Sequence, residues 1–92
     1  MKKLTIFYLE HCPYCRNAKK ALGELLDEDP DLRNAKIDWI EESRSPEIAD
    51  RYDYYRVPSI FAGSEKLFEC EPGYDFDTIK QHFREALKKG LE

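Results

Sequence analysis

Five residues, His11-Cys12-Pro13-Tyr14-Cys15, separate a strand-like run from a helix-like one and constrain everything else the chain can do. Before them, Leu4-Thr5-Ile6-Phe7-Tyr8-Leu9 is almost continuously apolar or β-branched, the pattern of a strand covered on both faces and therefore central in its sheet. After them, Ala18, Ala21, Leu22, Leu25 and Leu26 recur at helical spacing, with Lys19, Lys20, Glu24 and Asp27 between them. Pro13 suits the first turn of that helix, where a missing N–H costs nothing and the fixed φ is already helical. Cys12 then falls at the N-cap and Cys15 about one turn in. Unpaired N–H groups and the helix dipole favour negative charge there, so a thiol at that position is biased towards its thiolate, the form that attacks sulfur. Cys15 can close a small ring onto Cys12. The spacing describes an exposed attacking thiol and a partly covered resolving one.

Downstream, the helix gives out at Asp27-Glu28-Asp29-Pro30, and Lys36-Ile37-Asp38-Trp39-Ile40 alternates as a second strand. Strand, helix and strand in that order default to a right-handed parallel unit. Ser45-Pro46-Glu47 reads as the N-cap and first turn of a short helix carrying Ile48, Ala49 and Tyr52. Val57-Pro58-Ser59-Ile60-Phe61-Ala62 reads as a strand opening on proline, Gly63-Ser64 as a turn, and Lys66-Leu67-Phe68-Glu69-Cys70 as the return strand. After the loop Glu71-Pro72-Gly73-Tyr74, Asp75 caps a last helix with Phe76, Ile79, Phe83, Ala86 and Leu87 on one face and Gly90 as its terminator. The order β-α-β-α-β-β-α, without repeat or linker, predicts one α/β domain over residues 1–92.

The chain has 92 residues, enough for one compact core and not two. Its 19 acidic and 15 basic side chains are well mixed, with a net charge of -4 and no basic stripe, so no nucleic-acid partner is expected. The apolar run at Leu4–Leu9 is far shorter than a membrane span and lacks a cleavage-site pattern, so neither a signal peptide nor an anchor is expected. Three cysteines, an odd number, do not form the framework of a secreted disulfide scaffold. A reducing cytoplasm suits them, with the Cys12/Cys15 pair catalytic. Half of a zinc site is the rival reading. It needs a second ligand pair, and only Cys70, His11 and His82 remain, at no recognisable finger spacing.

The tetrad Cys12-Pro13-Tyr14-Cys15 opening a helix, Val57-Pro58 opening a later strand, and a glycine-containing loop ending at Asp75 before the last helix together resemble a glutaredoxin over nearly the whole chain. The resemblance implies a thioredoxin-like fold, with a four-stranded mixed sheet, three helices and Pro58 in a cis peptide beside the cysteines. It implies a thiol-disulfide oxidoreductase that reduces protein disulfides and glutathione mixed disulfides through Cys12 and Cys15, with glutathione as co-substrate and no bound cofactor. Glutathione would lie along Val57 in strand-like pairing, with Gly73 and Tyr74 beside it and Asp75 at its amino end. Three positions depart from the family's usual residues. Leu9 stands where a lysine commonly precedes the first cysteine, Arg56 where a threonine precedes Val-Pro, and Pro72-Gly73 where two glycines are common. Arg56 is therefore the candidate cation for a glutathione carboxylate. Two alternatives stay open: a redoxin reduced by a flavoprotein thioredoxin-type reductase, and an iron-sulfur or metal carrier.

The residues around the thiols carry expectations of their own. Val57, held extended by the proline after it, offers its N–H and C=O to a bound peptide. Tyr14, between the cysteines, is expected over the mouth of the site in contact with substrate. Pro13 and Arg16 support the thiolate, Arg16 from one turn beyond Cys12. Lys19 and Lys20 read as a solvated helix face, His11 as an exposed loop residue, Cys70 as a packing residue, and Trp39 and Phe83 as core. A monomer is expected.

Overall fold

In the computed structural model, which describes residues 2–92, the first apolar run forms β1 (Lys3–Tyr8), an inner strand of a four-stranded sheet. Helix α1 (Pro13–Glu28) leads to β2 (Lys36–Glu41), which pairs parallel to β1 with Lys3 opposite Lys36 and Tyr8 opposite Glu41. A single helical turn, α2 (Pro46–Ala49), precedes β3 (Ser59–Ala62), which runs antiparallel to β1. The return strand β4 (Glu65–Glu69) lies on the far edge, and α3 (Phe76–Gly90) closes the chain. The strand order is β2-β1-β3-β4. This is the thioredoxin-like α/β fold with a mixed sheet and three helices that the resemblance implied.

The two faces of the sheet are covered differently, following the period-2 alternation of its strands. Leu4, Ile6, Ile60 and Phe68 join Ala18, Leu22 and Leu25 of α1 and Ile79, Phe83 and Leu87 of α3 in one apolar core. Phe7 and Phe61 point to the other face. There the one turn of α2 leaves much of the cover to Tyr52 and Tyr54, whose rings lie 4.8 Å from Phe7 between centroids. Tyr52 also meets Phe61 edge-on at 4.9 Å.

Several local expectations change. Pro30–Asn34 is a 3₁₀ turn, capped by the Asp29 carboxylate accepting from the Asp31 N–H, and it buries Leu32. Ser45 stands at the N-cap of α2, but its hydroxyl makes no capping bond. Gly90 does not terminate α3: it is the last helical residue and Leu91 is the C-cap. A Cβ at Gly90 would come within 2.9 Å of Leu4 Cδ1, so the glycine is there to let the helix approach β1. β3 starts at Ser59 rather than Val57, which leaves Val57 outside the ladder. Trp39 is half-buried rather than core, because it sits on edge strand β2 and packs against Tyr8 and Phe83.

Candidate active site

Cys12 is the N-cap of α1 in extended conformation, φ -88° and ψ 124°, and Pro13 takes the first helical position. The Cys12 carbonyl receives the Arg16 N–H at 3.0 Å, and the Cys12 N–H reaches the Leu9 carbonyl at 3.3 Å. Cys12 is partly exposed, while Cys15, one turn in, is only 2% exposed. The Leu9 N–H points at Cys15 Sγ, 3.4 Å away. Burial pushes the Cys15 thiol up to about 12. The Leu9 N–H acts against that rise, whereas a hydrogen bond to Cys12, the Cys12 charge and the Cys70 charge add to it. Cys15 therefore keeps its proton.

Beside the thiols runs a groove of about 230 Å³ lined by Tyr14, Tyr55, Arg56, Val57, Cys70, Glu71 and Pro72. Cys12 itself lines a second depression with Leu9, Glu10, His11, Glu41 and Ser43. The Val57-Pro58 peptide is cis. Its surroundings are tied down: the N–H groups of Tyr55 and Arg56 both donate to Glu69 Oε2 at 2.8 Å, and the Arg56 carbonyl accepts from the Ser59 hydroxyl. The Pro58 carbonyl accepts from the Cys70 N–H at 3.0 Å. Among the described residues, only Val57 in this stretch keeps both its N–H and its C=O without a partner.

The other anticipated residues divide. Tyr14 lines the groove, and its hydroxyl accepts the Gly73 N–H at 2.8 Å, bridging the cysteine turn to the loop before α3. Gly73 is required there because its φ of 90° lies in the left-handed region. Asp75 caps α3 as anticipated, accepting the Thr78 N–H at 2.8 Å, and the Thr78 side chain followed by that N–H holds its carboxyl below the usual carboxylate range. Tyr74 is absent from the groove and is spent on packing, its ring parallel to His82 at 5.6 Å and near Phe68. Arg56 lines the groove, but its guanidinium faces Glu71 at 3.7 Å. Arg16 is exposed. Lys19 and Lys20 are not simply solvated: Lys19 Nζ lies 4.0 Å above the Tyr8 ring and Lys20 Nζ 5.3 Å from that of Phe76.

Cys70 is buried as a packing residue, yet it also lines the groove, and burial followed by the Cys12 and Glu71 charges raises its thiol to about 11. Among the described residues no three His, Cys, Asp or Glu side chains converge to hold a metal ion. Among the described residues, no helix is long and apolar enough to cross a membrane. A larger cavity of about 480 Å³ lies away from the thiols, between Ile48, Arg51, Tyr52 and Phe61. Sequence reading missed three groups that shape the site, the Leu9 N–H, the Ser59 hydroxyl and the Glu69 carboxylate. Each acts through a hydrogen bond that no spacing rule announces.

The fold, the pair of thiols at the start of α1 and a likeness in sequence to a thioredoxin together describe a thioredoxin-like redox protein. No protein-family model matches the chain. It is similar to the thioredoxin of Methanocaldococcus jannaschii, 29% identical over 89 residues, which cover 97% of this chain and 95% of that one. Among solved structures, it is similar to thioredoxin 1 of the thermophilic eubacterium Thermosipho africanus, with a TM-score of 0.60, 11% identity, and coverage of 98% and 99% of the two chains. It is also similar to a mutant thioredoxin of Halobacterium salinarum, with a TM-score of 0.58, 22% identity, and coverage of 91% of this chain and 73% of that one.

Proposed function

We propose that the protein is a thiol-disulfide oxidoreductase that reduces disulfides in other proteins, with Cys12 as nucleophile and Cys15 as resolver. One observation carries the assignment: a partly exposed N-cap thiol one helical turn from a buried thiol, with a backbone edge at Val57 left unpaired. The Cys12 thiolate attacks one sulfur of a substrate disulfide, forming a Cys12–substrate bond and expelling the other substrate sulfur as a thiolate. The substrate backbone pairs with Val57 as an added strand, which sets the angle of attack. Cys15 then gives up its proton, attacks Cys12 Sγ and releases the second substrate thiol, leaving a Cys12–Cys15 disulfide. Two electrons have passed to the substrate; the Cys15 proton ends on one released sulfur and solvent protonates the other.

The environment of Cys15 times the second step. Before the attack, burial and the neighbouring Cys12 keep Cys15 protonated. In the mixed disulfide Cys12 carries no charge and no longer takes Cys15's hydrogen bond as a thiolate, so two of the causes raising Cys15 vanish. The Leu9 N–H then stabilises the thiolate as it forms.

Oxidised protein must be re-reduced, and the groups that the glutaredoxin resemblance assigned to glutathione have internal partners. The Gly73 N–H is donated to Tyr14, the Asp75 carboxylate caps its own helix, and Arg56 faces Glu71. Together with the likeness to thioredoxins, this supports a flavoprotein thioredoxin-type reductase over glutathione as the electron source, in a reducing compartment such as the cytoplasm. Reduction of insulin, with electrons supplied either by thioredoxin reductase and NADPH or by glutathione, glutathione reductase and NADPH, tests both parts. Turnover with the first supply and not the second is the expected result. The reverse restores the glutathione-dependent reading, and no turnover even with dithiothreitol overturns the oxidoreductase assignment.

A further inference from the structure

β4 contains an irregularity with a consequence for substrate binding. Ser59 pairs with Glu69 and Ile60 with Phe68, but Phe61 then pairs with Lys66, so Leu67 is an extra residue in β4. In a regular strand Lys66 and Glu69, three residues apart, would point to opposite faces. The extra residue brings them to the same face, as bulges do when they re-aim a side chain. There Lys66 Nζ lies 2.7 Å from Glu69 Oε1 and 3.3 Å from the Asp53 carbonyl. The other carboxylate oxygen, Oε2, receives the N–H groups of Tyr55 and Arg56. The Glu69 side chain is only 13% exposed. Burial raises its carboxyl, but Lys66 and the two N–H donors outweigh that, and it stays below the usual carboxylate range.

We infer that Glu69 is a positioning residue for the substrate: it fixes the two residues before Val57, so that the unpaired N–H and C=O of Val57 are held ready to receive an incoming peptide backbone. The inference rests on the oxidoreductase reading and adds a residue to it. Glu69 touches neither thiol, and every bond that it makes to the loop ends on backbone, so its effect is on order and not on the sulfur chemistry. A substrate that pairs with the edge needs that order. One with no peptide backbone does not.

The test compares insulin with hydroxyethyl disulfide, which has no amide to pair, at saturating dithiothreitol, in wild type and in Glu69→Ala, Glu69→Gln and Glu69→Asp. Glu69→Ala is expected to raise the KM for insulin about tenfold with little change in kcat, and so to shift the preference between the two disulfides by about that factor. Glu69→Gln, which keeps an acceptor oxygen at the same reach, restores most of the preference. Glu69→Asp, charged but one methylene short, does not. If the KM for insulin is unmoved, if both substrates lose equally, or if Asp rescues where Gln fails, the positioning role is overturned. The Gln and Asp variants decide the matter should Glu69→Ala fail to fold. A wild type inactive on both disulfides is a different failure, which removes the oxidoreductase reading and this role with it.

Discussion

The two walls of the site are built in different ways. The thiols are placed by near neighbours in sequence: Leu9, six residues before Cys15, donates to its sulfur, and Arg16 donates to the Cys12 carbonyl. The opposite wall, Tyr55 to Pro58, has one local bond, from the Ser59 hydroxyl to the Arg56 carbonyl, and is otherwise held by groups distant in sequence. Glu69 lies 14 residues from Tyr55 and 13 from Arg56, and Cys70 ties the Pro58 carbonyl. The reacting centre is therefore a property of one turn, which forms whenever α1 forms. The wall proposed to present substrate to it is a property of the whole sheet, and loosening β4 should loosen it first. Attack on sulfur and recognition of a partner should be separable by mutation.

The largest effects belong to the thiol wall. Cys12→Ser is expected to abolish disulfide reduction, while Cys15→Ser accumulates a mixed disulfide with the substrate protein, visible as a mass adduct that dithiothreitol removes. Activity surviving in Cys12→Ser but not in Cys15→Ser reverses the two roles.

A second prediction sharpens the contrast through pH. The fold holds the proton of Cys15 up to about 12, whereas an unfolded thiol releases it near about 8.5. Between those values the folded state binds the extra proton, so stability is fully present below the lower value and falls as pH rises. The Cys12–Cys15 disulfide form has no such proton to hold. Denaturant titrations at neutral pH and at about pH 10 should show the reduced form losing about 1 to 2 kcal/mol more than the oxidised form. Equal losses break the picture of a protonated, buried resolver.

Tyr14 joins the walls, because its hydroxyl takes the Gly73 N–H. Tyr14→Phe should cost about 1 kcal/mol of stability and raise the KM for insulin, while leaving the alkylation rate of Cys12 as it is. A change in alkylation alone would place Tyr14 with the thiols rather than with the groove.

Arg56→Ala should do least. Its ion pair with Glu71 is half-exposed on both sides, so stability should shift by less than about 0.5 kcal/mol. The KM for glutathione, where any turnover with it is measurable, should also stay within about threefold, since the guanidinium already has a carboxylate partner. A larger rise returns Arg56 to the role of glutathione's cation.

The same division explains what the residues disclosed before the fold was known. β1, the cysteine turn and α1 are written in contiguous signals: an apolar run, Pro13 at the first helical position, and Ala18, Leu22 and Leu25 at helical spacing. Asp75 announced itself as a cap because capping is a contact over three residues. The second wall depends on pairs that sequence does not place together. Glu69 reads as one more exposed charge on a return strand until the extra residue at Leu67 turns it towards Tyr55 and Arg56. Lys19 reads as solvated until β1 and β2 bring Tyr8 and Trp39 beneath it. Gly90 reads as a helix stop until Leu4 is seen against it.

The sheet has two open borders, and any extended peptide that meets the molecule could zip onto either one. Strand β2 carries Lys36 and Asp38 exposed on its border, and β4 carries Glu65 and Lys66 together with its irregular register. Charged side chains and a broken hydrogen-bond ladder both discourage a foreign strand from annealing there. That leaves Val57, under the function proposed above, as a single short station for a substrate backbone, from which it can depart once its sulfur bond is exchanged.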